Sequence, residues 1–424
     1  MATSVQNAYR AHKLINQFKL SKSAEAGGIN YANVIATQLY DESILAAAKR
    51  ALFALFYSAK LNAVSPGEGE ILVFYSSKSK GRHDYDFVID ALLRAAGEGG
   101  AYVEVTETLN PFQIFRTMME VLPALKAVSG YRAHGIDRLC AALLIAKYRS
   151  YQSTLASLLL QRRRLVTFCD AFPLDNLIAQ MAKVQGVHTV TAQHGQYRLL
   201  DKTNMSADAE AYANFVSDCM LCWGEATRAE FSRVGIERSR FCVTGWIRKW
   251  DGLSSVPRPM AGQKLFGVML NGANGMSANL ALLEAAKEVS RSVGLRYLVR
   301  AHPHTKLDSL RPLIDENCED IVHMGIHEYL SMVSFSLGHM SGAIVEVLEV
   351  LHPTYLFDDG SLADVFRVDG LSYGDTDSIL AAIRKDVDAP EEMRRRLSRL
   401  RVWYNDSSDQ DARLLEAVKG GRIA

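Results

Sequence analysis

The sequence lacks an excess of one charge and a long apolar run, and each absence excludes a class of protein. Its 48 lysines and arginines nearly balance 47 acidic residues, so no overall field attracts nucleic acid or an anionic membrane, and any anion must be bound locally. No run of 18 apolar residues occurs, and the first 20 residues contain no apolar core of signal-peptide length. We therefore expect a cytoplasmic protein that contacts a membrane at most peripherally.

Cysteine is scarce, and its spacing does not suggest a disulfide framework or a metal site. Several of the six cysteines lie in apolar, strand-like runs, which is typical of reduced, buried thiols in a cytosolic protein. Cys219 and Cys222 form a Cys-x-x-Cys pair, but no second Cys or His pair lies at the spacing of a zinc site. We therefore expect no metal.

The length of 424 residues and the alternation of apolar patterns predict an α/β protein with two Rossmann-like parallel-sheet domains facing a cleft. Helical spacing indicates an N-terminal helical extension, a helical insertion and a C-terminal helix that crosses back, whereas strands and helices alternate elsewhere. A linker rich in Pro, Ser and Gly, WDGLSSVPRPMAGQ, separates the domains. The predicted segments are 1–65 (extension), 66–250 (first domain, with the insertion at 111–164), 251–390 (second domain) and 391–424 (C-terminal helix).

Polar residues follow one predicted strand of the second half in the segment RAHPH. Arg300, His302 and His304 would lie in a strand-to-helix loop, with Pro303 fixing the exit of the chain. Ligands bind at the carboxyl ends of strands in open parallel sheets, and guanidinium and imidazole groups both donate hydrogen bonds to phosphate oxygens. A phosphate site is predicted, and the alternative is a local ion pair and a backbone contact.

The segment HMSGAIVEVLE contains a second candidate for binding a nucleotide. Ser341 and Gly342 open a predicted helix, whose backbone N–H groups would hold a phosphate, although Ser341 could equally be an ordinary N-cap. Glu346 is an isolated acid in an apolar run and needs a partner, which a ribose diol or a buried ion pair would supply.

Three further turns are candidates on weaker patterns. Gly272 in LNGANG lets the backbone approach a ligand closely. Gly245 in TGWIRKW permits a tight turn toward the other domain, and Arg248 and Lys249 could meet an acidic donor or acceptor, unless this is a plain turn with surface cations. The basic stretch YSSKSKGRHDYD is either a loop that holds the acceptor or a solvated loop.

The segment TAQHGQYR ends a predicted strand of the first half. His194 either packs in the core or takes a proton, and its place at a strand end opposite the phosphate candidates favours the second interpretation. Gly195 would let the backbone turn at the floor of the cleft. Gln193 could cap the strand or contact a ligand.

The motifs QHG, WG, VTG, RxHP and SGxxxE occur in an order that resembles the bacterial two-domain (GT-B) glycosyltransferase-like enzymes of surface polysaccharide synthesis. This group includes CDP-glycerol glycerophosphotransferases and capsule sialyl- and Kdo-transferase-like proteins. The resemblance implies that the second domain binds the nucleotide donor and that His194 faces it from the acceptor domain. The donor-binding positions would be Arg300, His302, Pro303, Ser341 and Glu346.

The expected function is transfer of a sugar from a nucleotide-sugar donor to a glycan or lipid-linked glycan in capsule, lipopolysaccharide or similar synthesis. The donor would be CMP-, CDP- or UDP-linked, and no cofactor is expected. No DxD-like acidic pair ends a strand of the first half, so fixed cations would replace a metal, and Asp358 and Asp359 are expected to be loop or sugar-contact residues. The alternatives are a CDP-polyol phosphotransferase, a non-hydrolysing UDP-sugar 2-epimerase and a non-catalytic assembly partner.

Overall fold

The computed structural model contains two α/β domains, each built on a sheet of mainly parallel strands, and the fold class predicted from the sequence is confirmed. Two short antiparallel ribbons lie outside these sheets, Glu25–Ala26 with Ile29–Asn30 and Leu200–Asp201 with Asn204–Met205. The structure describes residues 25–38, 44–65, 69–76, 83–97, 99–130, 135–201, 204–205, 215–246, 265–272, 276–303, 305–340 and 342–420.

Within the described residues, the first sheet has seven strands in the order β7-β6-β5-β4-β2-β3-β1. All neighbours are parallel except β1 and β3, which pair antiparallel. The strands are β1 (Tyr57–Ser65), β2 (Ile71–Ser76), β3 (Ala101–Leu109), β4 (Arg164–Thr167), β5 (His188–Ala192), β6 (Cys219–Cys222) and β7 (Phe241–Val243). The central strands are buried because helices cover both faces of a parallel sheet.

The prediction that residues 1–65 are helical is wrong for β1. The helical spacing of the preceding segment ends with a helix at Ile44–Ala54, and the chain then forms the antiparallel edge strand. From Tyr57 to Ala63 the run alternates apolar and polar residues, as a half-buried strand does, but it follows the helical spacing without a turn signal between them. Its pairing with β3 decides its conformation.

Helices pack against the first sheet, and those of the insertion form part of its core. Tyr148 and Tyr151 of the longest insertion helix are buried with Phe74 of β2 and Val103 of β3. The helices are α1 (Tyr31–Ile35), α2 (Ile44–Ala54), α3 (His83–Ala96), α4 (Gln113–Ala127), α5 (Gly135–Ala156), α6 (Pro173–Val184) and α7 (Glu225–Arg233).

The second sheet has six parallel strands among the residues described, in the order β10-β9-β8-β11-β12-β13. The strands are β8 (Leu265–Met269), β9 (Arg296–Arg300), β10 (Cys318–Val322), β11 (Ser336–Gly338), β12 (Thr354–Phe357) and β13 (Ser372–Tyr373). Its helices are α8 (Met276–Val293), α9 (Ile326–Met332), α10 (Ala343–Glu349) and α11 (Thr376–Asp388).

The apolar spacing of LDSLRPLIDENC predicts a helix after β9, but the segment does not form an α-helix. Two short 3-10 turns, Leu307–Ser309 and Arg311–Leu313, occupy this segment. Pro312 lacks a backbone N–H and disfavours helical geometry at the residue before it, so the segment cannot continue as an α-helix.

A buried histidine in the second domain makes stability depend on pH. His352 Nε2 lies 2.9 Å from the Ser336 hydroxyl, and burial lowers the pKa of His352 from 6.5 to about 3. The unfolded chain therefore binds a proton below about pH 6.5 that the folded protein does not bind. We expect the free energy of unfolding to fall below that pH by about 1.4 kcal/mol per unit for this group.

The measurement is urea unfolding at pH 7, 6 and 5 for the wild type, for His352→Asn and for His323→Asn. Asparagine keeps a polar group beside Ser336 but does not titrate, whereas His323 is exposed and serves as the control. Below pH 6.5, the free energy of unfolding of the His352 variant should depend on pH less steeply than that of the wild type, by about the slope of one proton. The control should keep the wild-type slope. Equal slopes in all three proteins would contradict the prediction.

The end of the chain returns to the first domain through α12 (Pro390–Tyr404) and α13 (Gln410–Lys419). Leu414 and Val418 of α13 share a core with Val88 and Leu92 of α3. Between these helices, the backbone passes close to Gly245, which follows β7 and has φ of +78°. A Cβ atom on Gly245 would lie 2.6 Å from the carbonyl oxygen of Asp406.

Gly245→Ala is expected to destabilise the protein by about 2 kcal/mol or more, because the new methyl group meets backbone that cannot rotate away. Gly235→Ala is the matched control, since Gly235 has φ of +86° but a Cβ there meets nothing within 4 Å. The difference between the two variants in urea denaturation isolates the contact with Asp406. Equal losses would show that only the backbone conformation matters.

Candidate functional site

Polar side chains line the carboxyl edge of the second sheet at the ends of four neighbouring strands, β9, β8, β11 and β12. Met269, the last residue of β8, pairs with Arg300 of β9 and with Gly338 of β11. The residues that follow these strands are therefore side by side. They are Asn271 and Gly272 after β8, His302 after β9, His339 after β11, and Asp358 and Asp359 after β12.

Two of the predicted site residues, Gly272 and His302, are brought together at this edge. A Cβ atom added to Gly272 would lie 3.6 Å from His302 Nδ1, so the imidazole ring rests against the glycine backbone. Arg300 is half-buried, and its Nε donates a hydrogen bond to the Met324 carbonyl at 3.0 Å. This backbone contact fixes the orientation of the Arg300 guanidinium group, two residues before His302 in the sequence.

A chain of hydrogen bonds, centred on the buried His339, connects three of these strand ends. His339 Nε2 lies 3.0 Å from Asp359 Oδ1, and His339 Nδ1 lies 3.3 Å from Asn271 Nδ2. A carboxylate only accepts, so Nε2–H donates to Asp359 and Nδ1 accepts from the asparagine amide. The Ser361 amide and hydroxyl also donate to Asp359, at 2.9 and 2.7 Å.

Asp359 is held in its ionised form by these bonds. Burial by itself raises the pKa of Asp359, but the hydrogen bonds from Ser361 and His339 outweigh it and leave the pKa below its usual value. The negative charge then fixes the orientation of His339, whose ring is fully buried.

Asn271 carries a polar atom that the described residues leave unsatisfied. Its backbone N–H and C=O bind the Asn279 side chain at 2.8 and 3.1 Å, and its Nδ2 faces His339. The Oδ1 atom is buried and has no hydrogen-bond partner among the described residues. Buried acceptors are nearly always paired, so this oxygen is an obvious place for a donor group of a ligand.

The sequence patterns did not identify Asn271 and His339, although both lie in the segments LNGANG and HMSGAIVEVLE. The available signal was their position directly after apolar strand runs. Asp359, expected to be a loop or sugar-contact residue, lies in the loop after β12 and binds His339.

The remaining candidates of the second domain are only partly described. His304 and Ser341 lie outside the described residues. Gly342 precedes α10 with φ of −60°, and a Cβ there would meet nothing within 4 Å. Glu346 is half-buried in the first turn of that helix.

In the first domain, His194 is half-buried within an enclosure of aromatic rings. The centroid of its ring lies 5.5 Å from that of Phe172, 5.7 Å from Phe168, and 5.8 Å from both Tyr85 and Tyr197. Phe168 and Phe172 come from the turn after β4, and Tyr85 comes from α3. The imidazole is therefore positioned by several elements at the carboxyl edge of the first sheet.

The side chain of Gln193 forms hydrogen bonds that connect strand ends of the first sheet. Its Oε1 accepts from the Trp223 amide at 2.8 Å, and its Nε2 donates to the Gly195 carbonyl at 2.9 Å. The residue is fully buried, which favours strand-end capping over ligand contact. Gly195 does not have a positive φ, and a Cβ there would meet nothing within 4 Å, so the turn itself does not require glycine.

Two tryptophans join this edge of the first sheet to the second domain. The ring centroids of Trp223 and Trp246 are 5.2 Å apart, and both side chains belong to a core that includes Met269 and Leu298 of the second domain. Since Gln193 binds Trp223, His194 lies close to the junction of the domains.

Gly245 was predicted to permit a tight turn toward the other domain, at the acceptor or the cleft. The residue packs against the backbone at Asp406 in the segment that returns from the second domain. Its positive φ serves this close approach. Arg248 and Lys249, expected to meet a donor or acceptor, lie outside the described residues.

In the described part of the chain, no group of three or more His, Cys, Asp or Glu side chains is arranged to hold a metal ion. No helix among the residues described is long and apolar enough to cross a membrane. All six cysteines are described and none forms a disulfide.

No protein-family model and no curated protein sequence matches the chain. Solved structures with a similar arrangement include the lipopolysaccharide outer core galactosyltransferase WaaB, at 11% identity and a TM-score of 0.49, covering 82% of this chain and 99% of that one. The calicheamicin glycosyltransferase CalG4 is 14% identical, with a TM-score of 0.47 and coverages of 84% and 99%. UDP-GlcNAc 2-epimerase from Neisseria meningitidis is 11% identical, with a TM-score of 0.46 and coverages of 82% and 98%. Similarity at this level assigns no activity.

Proposed function

We propose that the protein transfers a sugar from a nucleotide-sugar donor to a glycan or lipid-linked glycan at the junction of its two domains. The observation that carries the proposal is the row of polar residues on the second sheet, in which the buried Asn271 Oδ1 has no hydrogen-bond partner among the described residues. Such a row at the carboxyl ends of parallel strands suits a nucleotide. A donor hydroxyl or base N–H would satisfy the asparagine oxygen, and phosphate oxygens would lie at His302 over Gly272.

The second domain would stabilise the leaving group. Arg300 and His302 follow the same strand, and hydrogen bonds from either would be strongest when negative charge develops on the departing phosphate. Arg300 is already oriented by the Met324 carbonyl, so little reorganisation is needed as the reaction proceeds. In this proposal these fixed groups act where other transferases use a metal ion.

The first domain would supply the base. As the acceptor oxygen bonds to the anomeric carbon and the bond to the leaving phosphate breaks, a neutral His194 would take the proton of the acceptor hydroxyl. The aromatic rings around His194 restrict its orientation and offer apolar faces to a sugar.

The first experiment is a thermal-shift screen against CMP, CDP, UDP, GDP and their sugars. A ligand present at about 100 times its Kd stabilises the folded protein by about 2.7 kcal/mol. His302→Ala should lose most of the shift, whereas His323→Ala, at an exposed position after β10, should keep it. The donor site is misplaced if no nucleotide shifts the wild type or if both variants respond equally.

Product analysis with the donor identified in that screen then tests the reaction. Sugar transfer yields a longer glycan and the free nucleotide. Transfer of a polyol phosphate from a CDP-linked donor would identify a phosphotransferase, and turnover of a UDP-sugar with no acceptor present would identify an epimerase. Either of these last results would overturn the proposed reaction.

A further inference from the structure

Helix α4 presents an apolar face to solvent. Phe115, Met119 and Leu122 lie three or four residues apart and form one stripe along the exposed side of the helix. The opposite side, with Thr117 and Ala124, is buried. The apolar α4 face consists of Leu109, Phe112, Phe115, Met118, Met119, Leu122 and Leu125, whose exposed fractions range from 38% to 78%.

The apolar surface continues onto the neighbouring helix. Ile136 and Leu139 in the first turn of α5 are 40% and 47% exposed, and α5 packs along α4. Contiguous apolar surface of this extent is rare on a monomer and marks a site of interaction with another apolar surface.

Positive charges predominate around this face. In the described stretches 109–130 and 135–139, the exposed charged side chains are those of Arg116, Lys126 and Arg138. The two acids of these stretches, Glu120 and Asp137, are half-buried, and Glu120 binds Arg149 at 2.6 Å. The three exposed cations therefore outweigh them at the surface.

A cavity of about 440 Å³ opens beside the start of α4 and extends the same pattern. Its lining includes Thr108, Asn110 and Ser150, and the charged residues in it are Lys60 and Arg116. A polar, cationic recess next to an apolar face matches the layers of a bilayer, in which anionic headgroups lie directly above acyl chains.

We propose that the apolar α4 face docks the protein on an anionic lipid bilayer. The 15-residue helix is too short to span the membrane and would lie in the interface, with Phe115 and Leu122 in the acyl region and the cations among the headgroups. A second copy fits less well, because a symmetric contact would bring the same cations against one another. The docking needs no nucleotide sugar, so it can fail or succeed independently of the proposed function.

The test is co-sedimentation of the full chain with vesicles of phosphatidylglycerol and phosphatidylcholine, and with vesicles of phosphatidylcholine alone. We expect binding to the anionic vesicles that weakens at high salt and on phosphatidylcholine alone. The double variant Phe115→Ser with Leu122→Ser should bind at least about tenfold more weakly, because two inserted apolar side chains are removed. Val387→Ser with Val402→Ser is the matched control, since those side chains are 55% and 46% exposed on α11 and α12.

Far-UV circular dichroism and thermal unfolding of both double variants establish that they fold, as expected for changes at exposed positions. Light scattering in the absence of vesicles tests the alternative, in which a second copy of the chain covers the apolar α4 face. The proposal is overturned if the wild type does not bind anionic vesicles or if both double variants bind equally. It is also overturned if the wild type is a dimer that only the α4 variant dissociates and that does not bind vesicles.

Discussion

Replacing His194 by asparagine is expected to lower the rate of sugar transfer by about 10²- to 10⁴-fold at saturating donor and acceptor. Asparagine retains a planar polar group within the aromatic enclosure but cannot accept the acceptor proton at neutral pH. The thermal shift produced by the donor nucleotide should be unchanged, because the nucleotide site is on the other domain. The measurement is kcat with the donor and acceptor found in the product analysis.

Tyr85→Phe is the control for this variant, because it keeps the ring that contacts His194 and removes only a hydroxyl group. It should retain most of the activity. The pH profile gives a second readout, since a general base produces an acidic limb in kcat/KM that the asparagine variant should lack. Full activity of the His194 variant would show that the histidine only packs among its four aromatic neighbours.

Replacing Arg396 by methionine is expected to destabilise the second domain by about 3–5 kcal/mol. Arg396 of α12 binds both carboxylate oxygens of Asp386 in α11, at 2.7 and 2.6 Å, and Asp386 is only 2% exposed. Tyr355 of β12 also donates to this carboxylate, at 2.7 Å. Removing the guanidinium group would leave a buried charge whose main partner is lost.

The measurement is urea denaturation, with Arg394→Met as the control on the same helix. Arg394 lies 3.5 Å from Glu391 in an exposed pair, for which we expect a loss of at most about 1 kcal/mol. The double variant Arg396→Met with Asp386→Asn should recover part of the loss, because it removes the uncompensated charge. A small effect of Arg396→Met by itself would mean that water reaches Asp386 and replaces the guanidinium group.

Much of the architecture could be predicted from the sequence, because strand and helix periodicity are local properties. Runs such as ILVFYS and RYLVR are short, apolar and bounded by polar turns, and both form strands of parallel sheets. The order of these elements determined the two-sheet α/β fold. It also placed Arg300, His302 and His194 at carboxyl ends of strands.

The edge strand β1 and the segment around Pro312 show where local patterns were insufficient to predict secondary structure. Tyr57–Ser65 alternates apolar and polar residues but continues directly from helical spacing, and its pairing with β3 makes it a strand. The segment around Pro312 has helical spacing, but the missing N–H of proline reduces it to 3-10 turns. In both segments the outcome depended on hydrogen bonds that the apolar pattern does not encode.

The sequence by itself determined which residue types end the strands of this protein, and only the tertiary structure decided which of them meet. His339 and Asp359 are 20 residues apart and form a hydrogen bond because β11 and β12 are neighbours. The side-chain amide of Gln193, in contrast, forms its hydrogen bonds with the backbone of Gly195 and Trp223. The amphipathic pattern of α4 was visible in the sequence, but packing against α5 buried its small and polar side and left Phe115 and Leu122 in solvent. The physical reason is that periodicity acts over neighbouring residues, while contact and burial depend on strand order and on which faces of the elements pack together.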